Sequence, residues 1–154
     1  MSQADMTMTG LVGTDPQPFM TKNCEGCTFR LGSTRRYRDR HNGQWKDAPT
    51  VWVTVRAYRS LAKNIRASLG KGDPITVTGR VVMDSWQSED GKSRTALVLE
   101  AHSIGHNLAY GVSSFSRLHE GEEPLEEVRA TGPDGQQAED FAVPAELAST
   151  TAQA

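Results

Sequence analysis

The chain is short of aromatic residues, of cysteine and of long apolar runs, and each shortage closes off a class of function. Its longest uninterrupted apolar stretch is the four residues 96–99, far below the ~20 that a membrane-spanning helix needs. Met1-Ser2-Gln3-Ala4-Asp5 offers neither a basic nor an apolar region, so no signal peptide is expected and the default compartment is the cytoplasm. The two cysteines stand together as Cys24-Glu25-Gly26-Cys27. Structural zinc takes four ligands, and no second cysteine pair exists. His41 has no second histidine at metal spacing, so no metal is expected. A thioredoxin-like site would open a helix in a βαβ setting, which the pattern does not offer. Two readings of the pair stay open: a Glu-Gly hairpin turn with one cysteine entering the core, or a redox-sensitive disulfide. There is no ordered Ser/His/Asp set, no phosphate-cradling glycine loop opening a helix, and no pair of carboxylates that the sequence places together. Binding is therefore expected rather than catalysis, with no cofactor.

What is present is an uneven distribution of charge. The formal charge of -2 conceals a body, residues 1–115, with 15 Lys/Arg against 10 Asp/Glu, and an arm, residues 116–154, with 2 against 9. A basic body with an acidic arm points toward nucleic acid. After Ser116 the chain turns Glu-rich, contains Gly132-Pro133 and closes Ala148-Ser149-Thr150-Thr151-Ala152-Gln153-Ala154, the composition of a disordered tail. The expected division is a folded domain over residues 1–112 and a disordered acidic tail over 113–154. No internal repeat is visible.

The stretch 50–58 organises the rest. Val51, Val53, Val55 and Ala57 alternate with Trp52, Thr54, Arg56 and Tyr58, so a strand here has one small apolar face and one face of rings around an arginine. Bases stack on rings and phosphates pair with arginine, which suits single-stranded nucleic acid. The other reading packs Trp52 and Tyr58 under a second sheet or a subunit. The strand expected over 75–86 repeats the pattern: Ile75, Val77, Gly79, Val81 and Met83 share one face, and Thr76, Thr78, Arg80 and Trp86 the other.

Around these two strands the remaining elements fall into order. An extended segment over 5–13 is broken by Pro16 and Pro18. A strand over 28–37 places Phe29 and Leu31 opposite Arg30. It runs into Arg35-Arg36-Tyr37-Arg38-Asp39-Arg40, and His41-Asn42-Gly43 reads as the tip of a projecting basic finger. Ser60 is a plausible N-cap for a helix over 61–69 whose stripe is Leu61, Ile65 and Leu69, with Gly70 as its stop. Ser88-Glu89-Asp90-Gly91 forms a second hairpin tip, and a last strand over 94–104 returns Leu97, Leu99 and Ala101 to the core. Three strands, a short helix and two strands is the order of an all-β, five-stranded Greek-key barrel of the OB type.

At the level of residues the chain resembles the bacterial single-stranded DNA-binding protein family over about residues 5–106. The likeness rests on Gly10-Leu11-Val12-Gly13-Thr14-Asp15-Pro16, on Tyr37-Arg38-Asp39, on Trp52 with Tyr58 and Ser60-Leu61-Ala62 after it, and on Lys71-Gly72, Gly79-Arg80-Val81 and Trp86. The resemblance implies single-stranded DNA as partner, a homotetramer around which it wraps, and base stacking on Tyr37, Trp52, Tyr58 and Trp86. Arg36, Arg38, Arg40, Arg56, Lys71 and Arg80 are the expected phosphate contacts. The rival readings are an RNA-binding OB protein and an OB-type protein-interaction module. Three departures stand out. Val53 follows the central Trp where many members have histidine, and Trp45 adds a ring to the finger. The chain closes on Gln153-Ala154 in place of the family's acidic Pro-Phe tip, which points to a specialised paralogue that coats DNA and recruits replication and repair proteins poorly.

Overall fold

The valine parity of residues 50–58 builds one wall of a closed barrel in the computed structural model, which describes residues 4–119 and 121–124. The elements in chain order are β1 (Asp5–Val12), β2 (Gln17–Met20), β3 (Glu25–Ser33), β4 (Arg36–Arg38), β5 (Trp45–Asp47), β6 (Val51–Tyr58), α1 (Arg59–Ser68), β7 (Pro74–Gln87) and β8 (Ser93–His106). The barrel runs β1-β7-β8-β6-β3 and closes where Leu11 pairs with Gly32 and Val12 with Leu31. Among the described strands only β6 and β8 pair in parallel. These five strands, with α1 between the third and fourth, are the OB-type Greek key expected from the sequence.

Three further strands lie outside that five-strand count. β2 forms from the Pro16–Pro18 region, taken above only as a break, and pairs with β3 from Gln17↔Thr28 to Met20↔Glu25. It has β3 as its sole neighbour, and an edge strand tolerates Pro18 because one side of it needs no ladder donors. β4 and β5 pair only with each other and form the basic finger as a separate two-stranded hairpin.

The core holds the residues of one parity from each wall: Phe29 and Leu31, Val53 and Val55, Ile75 and Val77, with Leu99 from β8. Three expected core residues are instead open to solvent. Val51, at the first position of β6, is 60% exposed. Met83 is 61% and Leu97 41% exposed, because β7 and β8 continue as a paired arm past the end of the barrel. A bulge also separates the Thr78↔Ser103 and Gly79↔Ala101 pairs, leaving His102 as the extra residue and shifting the alternation of β8. Val98, of the parity expected to face outward, is buried beside Thr54.

Helix α1 buries Ala62 and Ile65 against the barrel, with Leu69 just beyond its end and Leu61 partly covered. Its start differs from the expectation. Tyr58, not Ser60, is the N-cap and makes no side-chain cap, and Arg59 turns the chain directly from β6 into the helix at φ 59. Gly70 does not supply the left-handed stop: its N–H donates to Asp73 Oδ2 at 2.7 Å, and positive φ falls on Gly72. Among the described residues no helix is long and apolar enough to cross a membrane. Most of the expected tail, from residue 125 onward, lies outside the described residues.

Candidate nucleic-acid interface

On the outer face of β6, Trp52, Thr54, Arg56 and Tyr58 stand opposite the buried Val53, Val55 and Ala57. In register they meet Gly32, Arg30, Thr28 and Gly26 of β3. Two glycines decide where the indole of Trp52 lies. A Cβ on Gly13 would come 2.5 Å from its Cζ3, and one on Gly32 would come 2.9 Å from the same atom. The ring therefore occupies the space that two side chains would otherwise fill. Arg30 sits with its guanidinium over the indole, 6.0 Å from the ring centroid, and donates through Nη1 to Thr54 Oγ1 at 2.9 Å. Tyr58 packs edge-on against Phe19, with centroids 5.8 Å apart and planes at 89°. Partial burial, followed by the charge of the nearby Glu100 carboxylate, pushes the Tyr58 hydroxyl above its ordinary value.

The finger springs from the barrel between Ser33 and Val51, and a Thr34–Thr50 hydroxyl contact of 2.6 Å ties its base. Tyr37 pairs with Lys46 and Arg38 with Trp45. Several finger charges are spent internally: Arg36 on Asp47 at 3.2 Å, Arg38 Nε on the Gly43 carbonyl at 2.9 Å, and Lys46 on Asp39 at 2.5 Å. The Lys46 ammonium, and then the His41 amide, hold the Asp39 carboxyl below its ordinary value. At the tip the N–H of Asp39 donates to the Gln44 carbonyl and that of Gly43 to the Asp39 carbonyl, with Gly43 at φ 68. The tip is thus wider than the two-residue Asn-Gly turn. Arg40 lies exposed upon it.

Trp86 stands near the end of the β7–β8 arm, opposite Arg94. β6 and β8 pair in parallel from Thr54↔Val98, so the start of β6, where the finger rejoins the barrel, and the start of β8, which forms the arm, point toward the same end. The finger and the Trp86 arm therefore leave the barrel at the same end, with Trp52 at their common base. Tyr37 is 40% and Trp86 48% exposed, Trp52 and Tyr58 are partly covered, and none of the four rings belongs to the core.

The sheet's own cations are held differently. Arg56 is paired with Asp84 at 2.6 Å and Arg80 with Glu100. Lys71 lies exposed in the loop after α1, where its main-chain N–H donates to Asp15 Oδ1 at 2.9 Å. Arg30, absent from the phosphate contacts expected above, has no carboxylate partner among the described residues. Its parity opposite Phe29 and Leu31 was visible in the sequence, but its place beside Trp52 depends on the register of β3 against β6.

The cysteine pair is not a turn. Glu25 and Gly26 lie in β3, paired with Met20 and Phe19, and the hairpin bend is formed instead by residues 21–24. Cys27 is buried in the core and Cys24 half-buried, both as free thiols. Burial pushes the Cys27 thiol up to about 11. Among the described residues no group of His, Cys, Asp or Glu is arranged to hold a metal.

Residues 4–106 match the Single-strand binding protein family. Single-stranded DNA-binding protein 1 of Streptomyces coelicolor is 37% identical over 144 residues, spanning 88% of this chain and 92% of that protein. Single-stranded DNA-binding protein 2 of Tropheryma whipplei is 37% identical over 113 residues, 73% of this chain and 74% of its own length. The crystal structure of the small single-stranded DNA-binding protein from Streptomyces coelicolor superposes with a TM-score of 0.64 at 40% identity. It covers 72% of this chain and 100% of that one.

Proposed function

The chain belongs to the single-strand binding protein family, and from that membership we propose that it binds and coats single-stranded DNA by stacking bases on Tyr37, Trp52, Tyr58 and Trp86. The supporting observation is that all four rings stay outside the core, with Trp52 where the basic finger and the Trp86 arm leave the barrel. Each stacked base contributes about 1–3 kcal/mol with little regard to its identity, so sequence preference is weak. Phosphates are met by Arg38 and Arg40 of the finger and by Lys71. Arg36, Arg56 and Arg80 exchange carboxylate partners for phosphates and so add less. The activity is binding rather than catalysis, in the cytoplasm, in the service of replication, recombination and repair. Residues 1–112 form the binding unit and 113–154 the acidic tail. The working unit is a homotetramer, a reading supported by apolar side chains left open on the barrel arm, Met83 and Leu97.

Tryptophan fluorescence tests the proposal. Poly(dT) should quench the indoles strongly and poly(U) much less, and Trp52→Ala should weaken binding by about tenfold or more, the stacking energy of one base. Quenching absent at low salt would defeat it. Light scattering on the same material gives the subunit count.

A further inference from the structure

Three arginines stand on the outer face of the barrel wall, and they differ in what already neutralises them. Arg56 lies on Asp84 and Arg80 on Glu100, so a phosphate approaching either must displace a carboxylate held close by. Such an exchange releases little net counterion and returns little affinity. Arg30 has no carboxylate partner among the described residues. Its guanidinium is instead oriented by one hydrogen bond, Nη1 to Thr54 Oγ1 at 2.9 Å, and by the indole of Trp52 beneath it at 6.0 Å. The remaining donors of the planar fork are left for a ligand, and Arg is suited to bidentate contact with phosphate oxygens. The same side chain rests partly on an apolar ring, so it meets an anion with less water to shed than a fully hydrated cation.

We propose that Arg30 is the principal phosphate contact of the barrel face: it holds the backbone of the nucleotide stacked on Trp52, and it positions the indole for that base. The inference rests on the DNA-binding reading above and adds a residue to it. Arg30 joins the two halves of recognition, charge and stacking, at the point where Gly13 and Gly32 fix the ring.

The test is the salt dependence of binding of a fluorescein-labelled oligo(dT) to the full chain, read by anisotropy so that changes in indole emission do not enter. Arg30→Ala should bind about tenfold more weakly at low salt, losing one charged hydrogen-bonded contact. Its slope of log K against log salt should be shallower by about 0.7 for each subunit engaged. Arg56→Ala and Arg80→Ala should each change the slope by less than half as much. Arg66→Ala, on α1 and paired with Glu25 at 2.7 Å, is the control and should leave the slope where it is. Arg30→Lys separates the two roles: it keeps the slope, yet loses affinity and shifts tryptophan emission in the free protein. Arg30→Met serves in place of Arg30→Ala should the latter fail to fold. A wild-type slope in Arg30→Ala or Arg30→Met, or a larger loss in Arg56→Ala, overturns the assignment. Failure of the wild-type chain to bind oligo(dT) at all would instead overturn the DNA-binding reading itself.

Discussion

At Gly13 and Gly32 the chain gives up two side chains, and the rigid indole of Trp52 takes the space; the ring's position is set by what is missing beneath it. Gly13→Ala forces the issue, because its Cβ would sit 2.5 Å from Cζ3 and the ring cannot bend away. It should weaken oligo(dT) binding about tenfold through a displaced stack and shift indole emission. Unchanged affinity would show that the glycine platform does not hold the ring for DNA. Cys27 carries a second prediction. With the thiol held up to about 11 in the fold, an alkylating reagent at pH 8 should modify Cys24 and spare Cys27 until urea unfolds the barrel, as mass spectrometry would read directly. The sign follows from burial. The unfolded thiol ionises from about 8.5 while the folded one stays neutral. Its contribution to stability is therefore complete below that pH and is lost as pH climbs through the folded value of about 11.

Among the elements, the finger and the entry to α1 are the least conventional. A lone two-stranded hairpin is marginal in water, and β4–β5 relies on the Thr34–Thr50 contact and on its own ion pairs. No finger residue belongs to the core, so replacing residues 36–47 by a short turn should leave a cooperatively folding barrel. Binding should lose the finger's contacts, with a slope in log salt shallower by about 0.7 for each arginine removed that met a phosphate. Arg59 holds φ 59, which a residue with a Cβ adopts at a cost of about 1–2 kcal/mol. Arg59→Gly should raise the melting temperature by a few degrees, on the order of 4 °C for about 1 kcal/mol. A fall would mean that the Arg59 side chain does more than the turn. These features mark the limit of pattern reading. The parity of β6 was legible because one face of the sheet is buried, and the stripe of α1 because it closes the barrel. β2 was not, since β3 rather than local propensity holds a proline-bearing segment straight. Nor was the His102 bulge, or the exit of β7 and β8 from the barrel that leaves Met83 and Leu97 outside.

For the molecule as a whole, the outward placement of Trp52, Tyr58 and Trp86 was legible because large aromatics sharing parity with arginine have little business in a core, whereas Tyr37 stood out only by its place in the basic arm and by the family resemblance. The pairing of Arg56 with Asp84, and the seating of Arg30 against Trp52 and Thr54, needed strand register, because the partners lie 28 residues apart in one case and on the neighbouring strand β6 in the other. Charge at the largest scale needed no structure. Residues 125–154 carry six Asp/Glu against one Arg, so a chain ending at residue 124 changes from a formal -2 to +3. A polyanion approaching the full chain meets a molecule of its own net sign; approaching the shortened chain, it meets one of opposite net sign. The difference acts through the long-range field, which steers encounter more than it strengthens the final contacts. Stopped-flow quenching by oligo(dT) at low ionic strength should therefore show association several-fold faster for the shortened chain, with dissociation little changed. As salt compresses the Debye length from about 30 Å at 0.01 M to about 3 Å at 1 M, the two rates should converge. A shortened chain that associates no faster at low salt would show that the acidic arm does not reach the field through which DNA approaches.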